Sequence, residues 1–187
     1  MSVMDKQDHI YIEKILNGET GVFSLLVQKY SQKTFHLIQN IVHDRQDAEE
    51  LTQDCYLKAF HHLSRFKGEC RFSTWLYRIA YTTAISAVRK KRREYVFVDE
   101  ESIDRVPDQE VDRQFERDMQ SEQLEALQKA LNRLPPEEKA ILLLFYSEQK
   151  STQEIATITD LSPANVKIKL YRLRKKLYVM LDPKGKN

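Results

Sequence analysis

Apolar residues recur along this chain at helical spacing, in blocks separated by glycine, proline or short polar breaks. Ile10, Ile12, Ile15 and Leu16 fall within residues 8–17 and stop before Gly18, which predicts a short amphipathic helix ending on glycine. From about Glu19 to Val42 the positions Val22, Phe23, Leu26, Val27, Tyr30, Leu37, Ile38 and Ile41 keep the same period. A third helix is predicted from Asp44 to about Leu63. Acids crowd its first turn, where Asp47 can also cap, and its buried stripe is Ala48, Leu51, Cys55, Ala59 and Leu63. The loop RFKGEC turns at Gly68. Ser73 is then placed to cap a fourth helix over 74–92, with Leu76, Ile79, Ala80, Thr83 and Ala87 on its seam.

The pattern fades between Glu94 and about Met119, where acids, Pro107 and few large apolar residues predict a partly disordered linker. It returns with Leu124, Leu127, Leu131 and Leu134. Pro135-Pro136-Glu137-Glu138 reads as a helix start, and ILLLFY (141–146) should lie largely inside. Ser151-Thr-Gln-Glu154 is a capping box that opens a short helix with Ile155, Ala156 and Ile158 inward. Thr159-Asp160-Leu161 makes a tight turn, Ser162 caps again and Pro163 takes the first helical position. The last helix carries Val166, Leu170, Leu173, Leu177 and Leu181 on one stripe. The fold class that follows is all-α: two small helical domains joined by an acidic flexible linker, the C-terminal one a helix-turn-helix.

Charge distribution changes this picture more than composition does. The 187 residues carry a net charge of only +2, but residues 86–93 (SAVRKKRR) hold five positive charges and 166–177 (VKIKLYRLRKKL) hold six, with no acid in either. Residues 94–125 hold twelve acids against three bases. Two basic stretches around an acidic one fit two nucleic-acid surfaces behind a neutral total. Two solvated helix faces fit the same charges, and the acidic stretch can also lie against the basic ones. Four glycines disfavour a turn-rich β fold. No stretch approaches a membrane span, and the start, MSVMDKQDHIYIEK, lacks the apolar core of a secretory signal. Cys55 and Cys70 have no metal or redox spacing and read as reduced cytosolic thiols.

Three stretches carry candidate chemistry. The last helix shows cations off its seam, which suits a major groove: Ser162, Asn165 and Lys169 near its start for bases or phosphates, and Arg172 and Arg174 for guanine edges or phosphates. A plain helical hairpin with a solvated basic face has the same periodicity. FSTWLYRIAYTTAISAVRKKRR (72–93) sets aromatics beside small polar residues and a basic tail, a combination that suits unpaired bases stacking on rings. Core packing is the other place for Phe72, Trp75 and Tyr77. DAEELTQDCYLKAF (47–60) offers an acidic ridge with Tyr56, Leu57 and Phe60 beside it, a form that docks protein partners. A metal-dependent nuclease is the rival for these acids, but it needs them to converge on one ion. His61-His62 with the two cysteines matches no zinc spacing. No phosphate loop and no activated nucleophile is present, so no catalytic residue, cofactor or metal is expected.

Taken in chain order, DAEELTQDCYLKAF, FSTWLYRIA with its basic tail and LPPEEKAILLLFYSEQKSTQEIATITDLSPANVKIKLYRLRKKL resemble the extracytoplasmic-function group of bacterial sigma factors. The resemblance implies a non-enzymatic subunit that carries core RNA polymerase to specific promoters and helps open them. It implies a region 2 domain over 8–94, a linker over 95–122 and a region 4 domain over 123–182. By this likeness Asp47, Glu50, Leu51, Gln53, Asp54 and Phe60 contact the polymerase, on the β′ clamp. Trp75, Tyr81, Thr82, Ser86, Arg89 and Lys90 lie at the melted minus-ten strand. Ser162, Asn165, Lys167, Lys169, Arg172, Arg174 and Lys175 lie at the minus-thirty-five duplex, beside the β flap. The partners implied are core polymerase, promoter DNA both duplex and single-stranded, and an anti-sigma factor. The location implied is the cytoplasm, at the nucleoid when active, with an anti-sigma factor able to hold the protein at the membrane without its own insertion. Thr82 and Ser86 stand where the family often has asparagine and aspartate, and Asp160 and Pro163-Ala164 where glycine and Val-Gly are common. A conventional regulator with an N-terminal sensor is the rival, and the 72–93 helix argues against it.

Overall fold

A computed structural model describes residues 5–90, 98, 100–111 and 121–181. Its first group of helices is α1 (Lys6–Leu16), α2 (Phe23–Val42), α3 (Arg45–His62) and α4 (Phe72–Lys90). Each boundary has a local cause. The Asp5 carboxylate accepts from the Gln7 N–H to start α1, and Gly18 turns the chain away at φ 104°. Glu19 does not begin α2 as the periodicity predicts. Thr20–Val22 form a 3₁₀ turn after Gly18, and regular helix starts only at Phe23. α2 ends on His43 in the left-handed conformation, and the Asp44 carboxylate caps α3 by accepting from the Asp47 N–H at 2.9 Å. α4 starts at Phe72, so Ser73 lies inside its first turn and is not its cap. The Ser73 hydroxyl instead accepts from Lys150 at 3.1 Å.

The second group is α6 (Ser121–Asn132), α7 (Pro136–Leu142), α8 (Thr152–Thr159) and α9 (Pro163–Leu181). A π turn at Leu143–Ser147 continues α7 and leaves Tyr146 exposed, so ILLLFY lies inside only in part. Between the groups, α5 (Glu100–Asp104) and a helical turn at 108–111 occupy part of the stretch expected to lack regular structure. Ile103, Val106 and Val111 are buried there. They are too widely spaced to register as a period, yet they seat the segment against the body of the protein.

Helices α2, α3 and α4 pack mutually through Leu37, Ile38, Ile41, Ala48, Cys55, Ala59, Leu76 and Ala80. Small residues on α3 let the backbones approach closely. Burial pushes the Cys55 thiol up to about 12, so it is an unreactive core group. Asp8 is also buried, where Lys29 Nζ at 2.7 Å and the Tyr30 hydroxyl at 2.6 Å satisfy its charge. The two helical groups are not held apart. α4 packs along α8, and α2 along α7, so one continuous apolar core crosses both.

Candidate nucleic-acid interface

The end of the chain forms two capped helices set around a three-residue turn. The Ser151 hydroxyl accepts from the Glu154 N–H at 3.2 Å while Glu154 Oε2 accepts from the Ser151 N–H at 3.0 Å, closing the expected capping box. Asp160 takes the left-handed conformation at φ 62°, as an Asp can more easily than most residues. The Ser162 hydroxyl accepts from the Asn165 N–H and Pro163 opens α9. Val166, Leu170, Leu173 and Leu177 are buried against the body.

This packing sorts the predicted contact residues. Ser162, Asn165, Lys167, Lys169 and Arg172 are exposed, and positions 165, 168, 169 and 172 share one face. Arg174 is half-buried, and Lys175 and Lys176 are buried, contrary to a reading that places all six cations outside. Acids from other segments cover them: Lys175 Nζ lies 2.9 Å from Asp108 and Lys176 Nζ 2.7 Å from Glu138. Sequence reasoning missed Ile168, which is 56% exposed, and Tyr171, which is 48% exposed. Their signal was there to read, because both are large apolar-bodied residues off the seam. A side chain like Ile168 among cations suits a thymine methyl.

Part of α9 is covered by the acidic segment. Glu100 pairs with Arg172 at 3.2 Å, Asp108 accepts from the Tyr171 hydroxyl at 2.8 Å, and Glu110 accepts from the Tyr178 hydroxyl at 2.8 Å. Hydrogen bonds from Lys175 and Tyr171 hold the Asp108 carboxyl below the usual range, and the Lys175 ammonium is correspondingly raised.

On α4, Phe72 and Tyr77 are core, while Trp75 is half-buried with ring centroids 5.3 Å from Phe66 and 5.7 Å from Phe72. Thr82, Ser86 and Arg89 are exposed and share a stripe with Trp75 and with Arg78, a cation the sequence reading passed over. Tyr81 is half-buried beside the stripe, and burial raises its hydroxyl. The Thr82 hydroxyl donates to the Arg78 and Ile79 carbonyls. The side chain of Lys90 and the rest of the basic tail, 91–93, lie outside the described residues.

The second group of helices meets α4 through polar partners. The Thr74 hydroxyl donates to Glu154 at 3.0 Å and the Tyr77 hydroxyl to Glu148 at 2.7 Å. Arg78 reaches Asp160 at 3.3 Å, and Arg89 reaches Glu137 at 3.3 Å. Lys150 sits among them, 5.0 Å from the centre of the Tyr77 ring. Its burial lowers the ammonium pKa although Glu154 and Glu148 pull it upward. Burial alone would raise Glu154, but the Ser151 N–H and the Lys150 charge outweigh it and hold the carboxyl low.

α3 presents Glu50, Gln53, Asp54 and Leu57 to solvent on one face, with Leu57 58% exposed. Asp47 and Leu51 are half-buried along the same ridge. Phe60 stands at its end, edge-on to Phe23 at 5.0 Å. Tyr56 is not part of the ridge: it is buried, 3.3 Å from the Thr34 hydroxyl. Among the described residues no three His, Cys, Asp or Glu side chains gather where a metal ion could sit. No described helix is long and apolar enough to cross a membrane.

The comparisons with known proteins fall on these same surfaces. The family model described as Sigma-70 region 2 matches residues 26–94, and the one described as Sigma-70, region 4 matches residues 124–177. The RNA polymerase sigma-H factor of Pseudomonas aeruginosa is 31% identical, over 95% of this chain and 95% of that protein. The ECF RNA polymerase sigma-E factor of Haemophilus influenzae is 30% identical, over 94% of this chain and 96% of that protein. The chain belongs to the extracytoplasmic-function (ECF) sigma factors. As an ECF sigma factor it is a promoter-specific initiation factor, binding RNA polymerase and promoter DNA, in a family that is not enzymatic. The fold agrees. CnrH, in complex with the cytosolic domain of CnrY, superposes with a TM-score of 0.68 at 21% identity, over 94% of this sigma factor and 97% of that chain. RpoE of Bartonella quintana, in complex with the anti-sigma factor NepR, superposes at 0.62 and 22%, over 88% and 98%. The region 2 match contains α3, α4 and most of α2, and the region 4 match contains α8 and all but the last turn of α9.

Proposed function

We propose that residues 8–94 grip core polymerase and capture the melted minus-ten strand, that 123–182 read the minus-thirty-five duplex as a helix-turn-helix, and that 95–122 connect them. The open start of α9 carries this reading: Asn165, Lys167, Ile168 and Lys169 are exposed on a helix whose apolar stripe is anchored in the core, with Arg172 next along it held by Glu100. The first turn meets base edges and later cations meet phosphates. Upstream duplex contact by Arg174 and Lys175 requires them to leave their present surroundings.

The exposed ridge of α3, Glu50, Gln53, Asp54 and Leu57 with Phe60 at its end, docks on the β′ clamp, its acids facing a basic partner and its apolar groups closing the contact. Region 4 touches the β flap. On α4 the Trp75 ring and the Thr82 and Ser86 hydroxyls receive unpaired bases while Arg89 and Lys90 follow the backbone. Opening then draws on trapped bases and neutralised phosphates, with no nucleotide hydrolysed and no cofactor needed. The protein works in the cytoplasm at the nucleoid, and an anti-sigma factor restrains it, if need be at the membrane. The complex of one fold relative with an anti-sigma factor supports a restraining partner.

Run-off transcription tests this directly. Purified core polymerase with this protein should initiate on a defined subset of a promoter library, and the selected fragments should share two spaced elements. No stimulation of competent core by folded protein would overturn the proposal.

A further inference from the structure

We infer that the acidic segment 100–111 competes with promoter DNA for α9 inside the free protein, an inference that rests on the reading of α9 as the duplex-facing helix. Its carboxylates contact side chains on successive turns of α9: Glu100 on Arg172, Asp108 on Tyr171 and Lys175, and Glu110 on Tyr178. Carboxylates and phosphate oxygens are recognised by the same donors. The segment therefore occupies the groups that a duplex backbone would use.

The placement is built into the fold. Ile103, Val106 and Val111 are buried and seat the segment. Pro107 starts the helical turn that presents Asp108 and Glu110, its carbonyl accepting from the Glu110 N–H at 3.1 Å. The Lys175 ammonium lies 4.7 Å from the centre of the Tyr171 ring, so the aromatic and both charges form one cluster. The mask is partial. Asn165, Lys167 and Lys169 stay exposed, so DNA can touch the start of α9 while its second half remains covered. Glu100 and Asp108 are themselves exposed, and such pairs are weak singly and loosened by salt. The segment thus sets a threshold that duplex DNA and polymerase together overcome.

The test uses the full chain without polymerase. Glu100→Gln, Asp108→Asn and Glu110→Gln are combined, and anisotropy at low salt measures affinity for a duplex carrying the upstream element that the holoenzyme selects. A control combines Glu13→Gln, Glu19→Gln and Glu125→Gln, removing the same charge from acids that pair with His9, Lys14 and Lys129, none of them on α9. The linker variant should bind about tenfold tighter or more, because masking lowers apparent affinity by the competent fraction. The control should stay within about twofold. In the wild-type chain, amide exchange across 100–111 should speed up on adding duplex. An unchanged linker variant, equal gains in both variants, or unaltered exchange in a saturated complex would overturn the inference. Wild-type holoenzyme that ignores the upstream element would instead overturn the reading of α9, and this inference with it. A holoenzyme that reads the element, with free variants indistinguishable from wild type, would remove the mask alone.

Discussion

α4 and α9 are the two helices proposed above to meet DNA, and they are covered in different ways. α4 is covered along one side by packing: α8 lies along it, the core runs through both, and hydroxyls, carboxylates and Lys150 interlock at the seam, while Thr82, Ser86 and Arg89 stay exposed. α9 is closed by charge, and only over its second half, by carboxylates on a short segment with three buried apolar residues. The physics of each determines what releases it. Apolar packing resists salt and yields to competing protein surface, whereas ion pairs at an exposed face weaken as the screening length falls. Displacing both covers means undoing two locks of unlike chemistry.

The largest expected effect breaks the first lock from within. Ile155→Ala, at a fully buried position of α8, should cost about 2–5 kcal/mol in urea unfolding. Because one core crosses both groups, the loss should appear in a single transition monitored by either. Two separated transitions would show that the groups fold independently and that the seam is incidental. Arg172→Ala comes next. It should weaken holoenzyme binding to the upstream element by about 1–3 kcal/mol while leaving binding to core polymerase unchanged, as read by competition binding. Equal losses in both would mean that α9 serves the polymerase instead of the duplex.

Tyr77→Phe sharpens the contrast. It removes the hydroxyl bond to half-buried Glu148 and should cost about 1 kcal/mol of stability, with little change at high salt. Salt itself gives a smaller, purely differential effect. Raising it from about 0.05 to about 0.5 M should speed amide exchange over 100–111 but not over 74–88. Matching changes in the two segments would erase the distinction drawn here. Smallest of all, Glu137→Gln should alter stability by less than about 0.5 kcal/mol, since the Arg89 pair is exposed.

α9 was legible because its instructions are local. The Ser151 box, Asp160, Ser162 and Pro163 all act within four residues, and the leucine stripe needs only a period. The exposed α3 ridge was readable for the same reason, and the aromatics of α4 announced that at least one would be core. What joins distant residues was not. Nothing in the neighbourhood of Ser73 says that it will bond Lys150 and not a helix end. Lys175 looks like surface until Asp108 is brought beside it, and Tyr56 looks like ridge until it turns toward Thr34. The charge asymmetry did offer the acidic stretch as an internal partner for a basic one. Its described part, 100–111, meets α9 where Ile103, Val106 and Val111 bury.

The polar rim of the α4–α8 seam bears on what would follow if the two helical groups parted. When two apolar faces part, each becomes an adhesive surface, and a regulator that cycles repeatedly would risk clumping with its neighbours. Here Thr74, Arg78, Glu148, Glu154 and Lys150 all lie at the parting line and can each take up water once released. The rim holds the observed form together and would leave the edges of a parted one wettable.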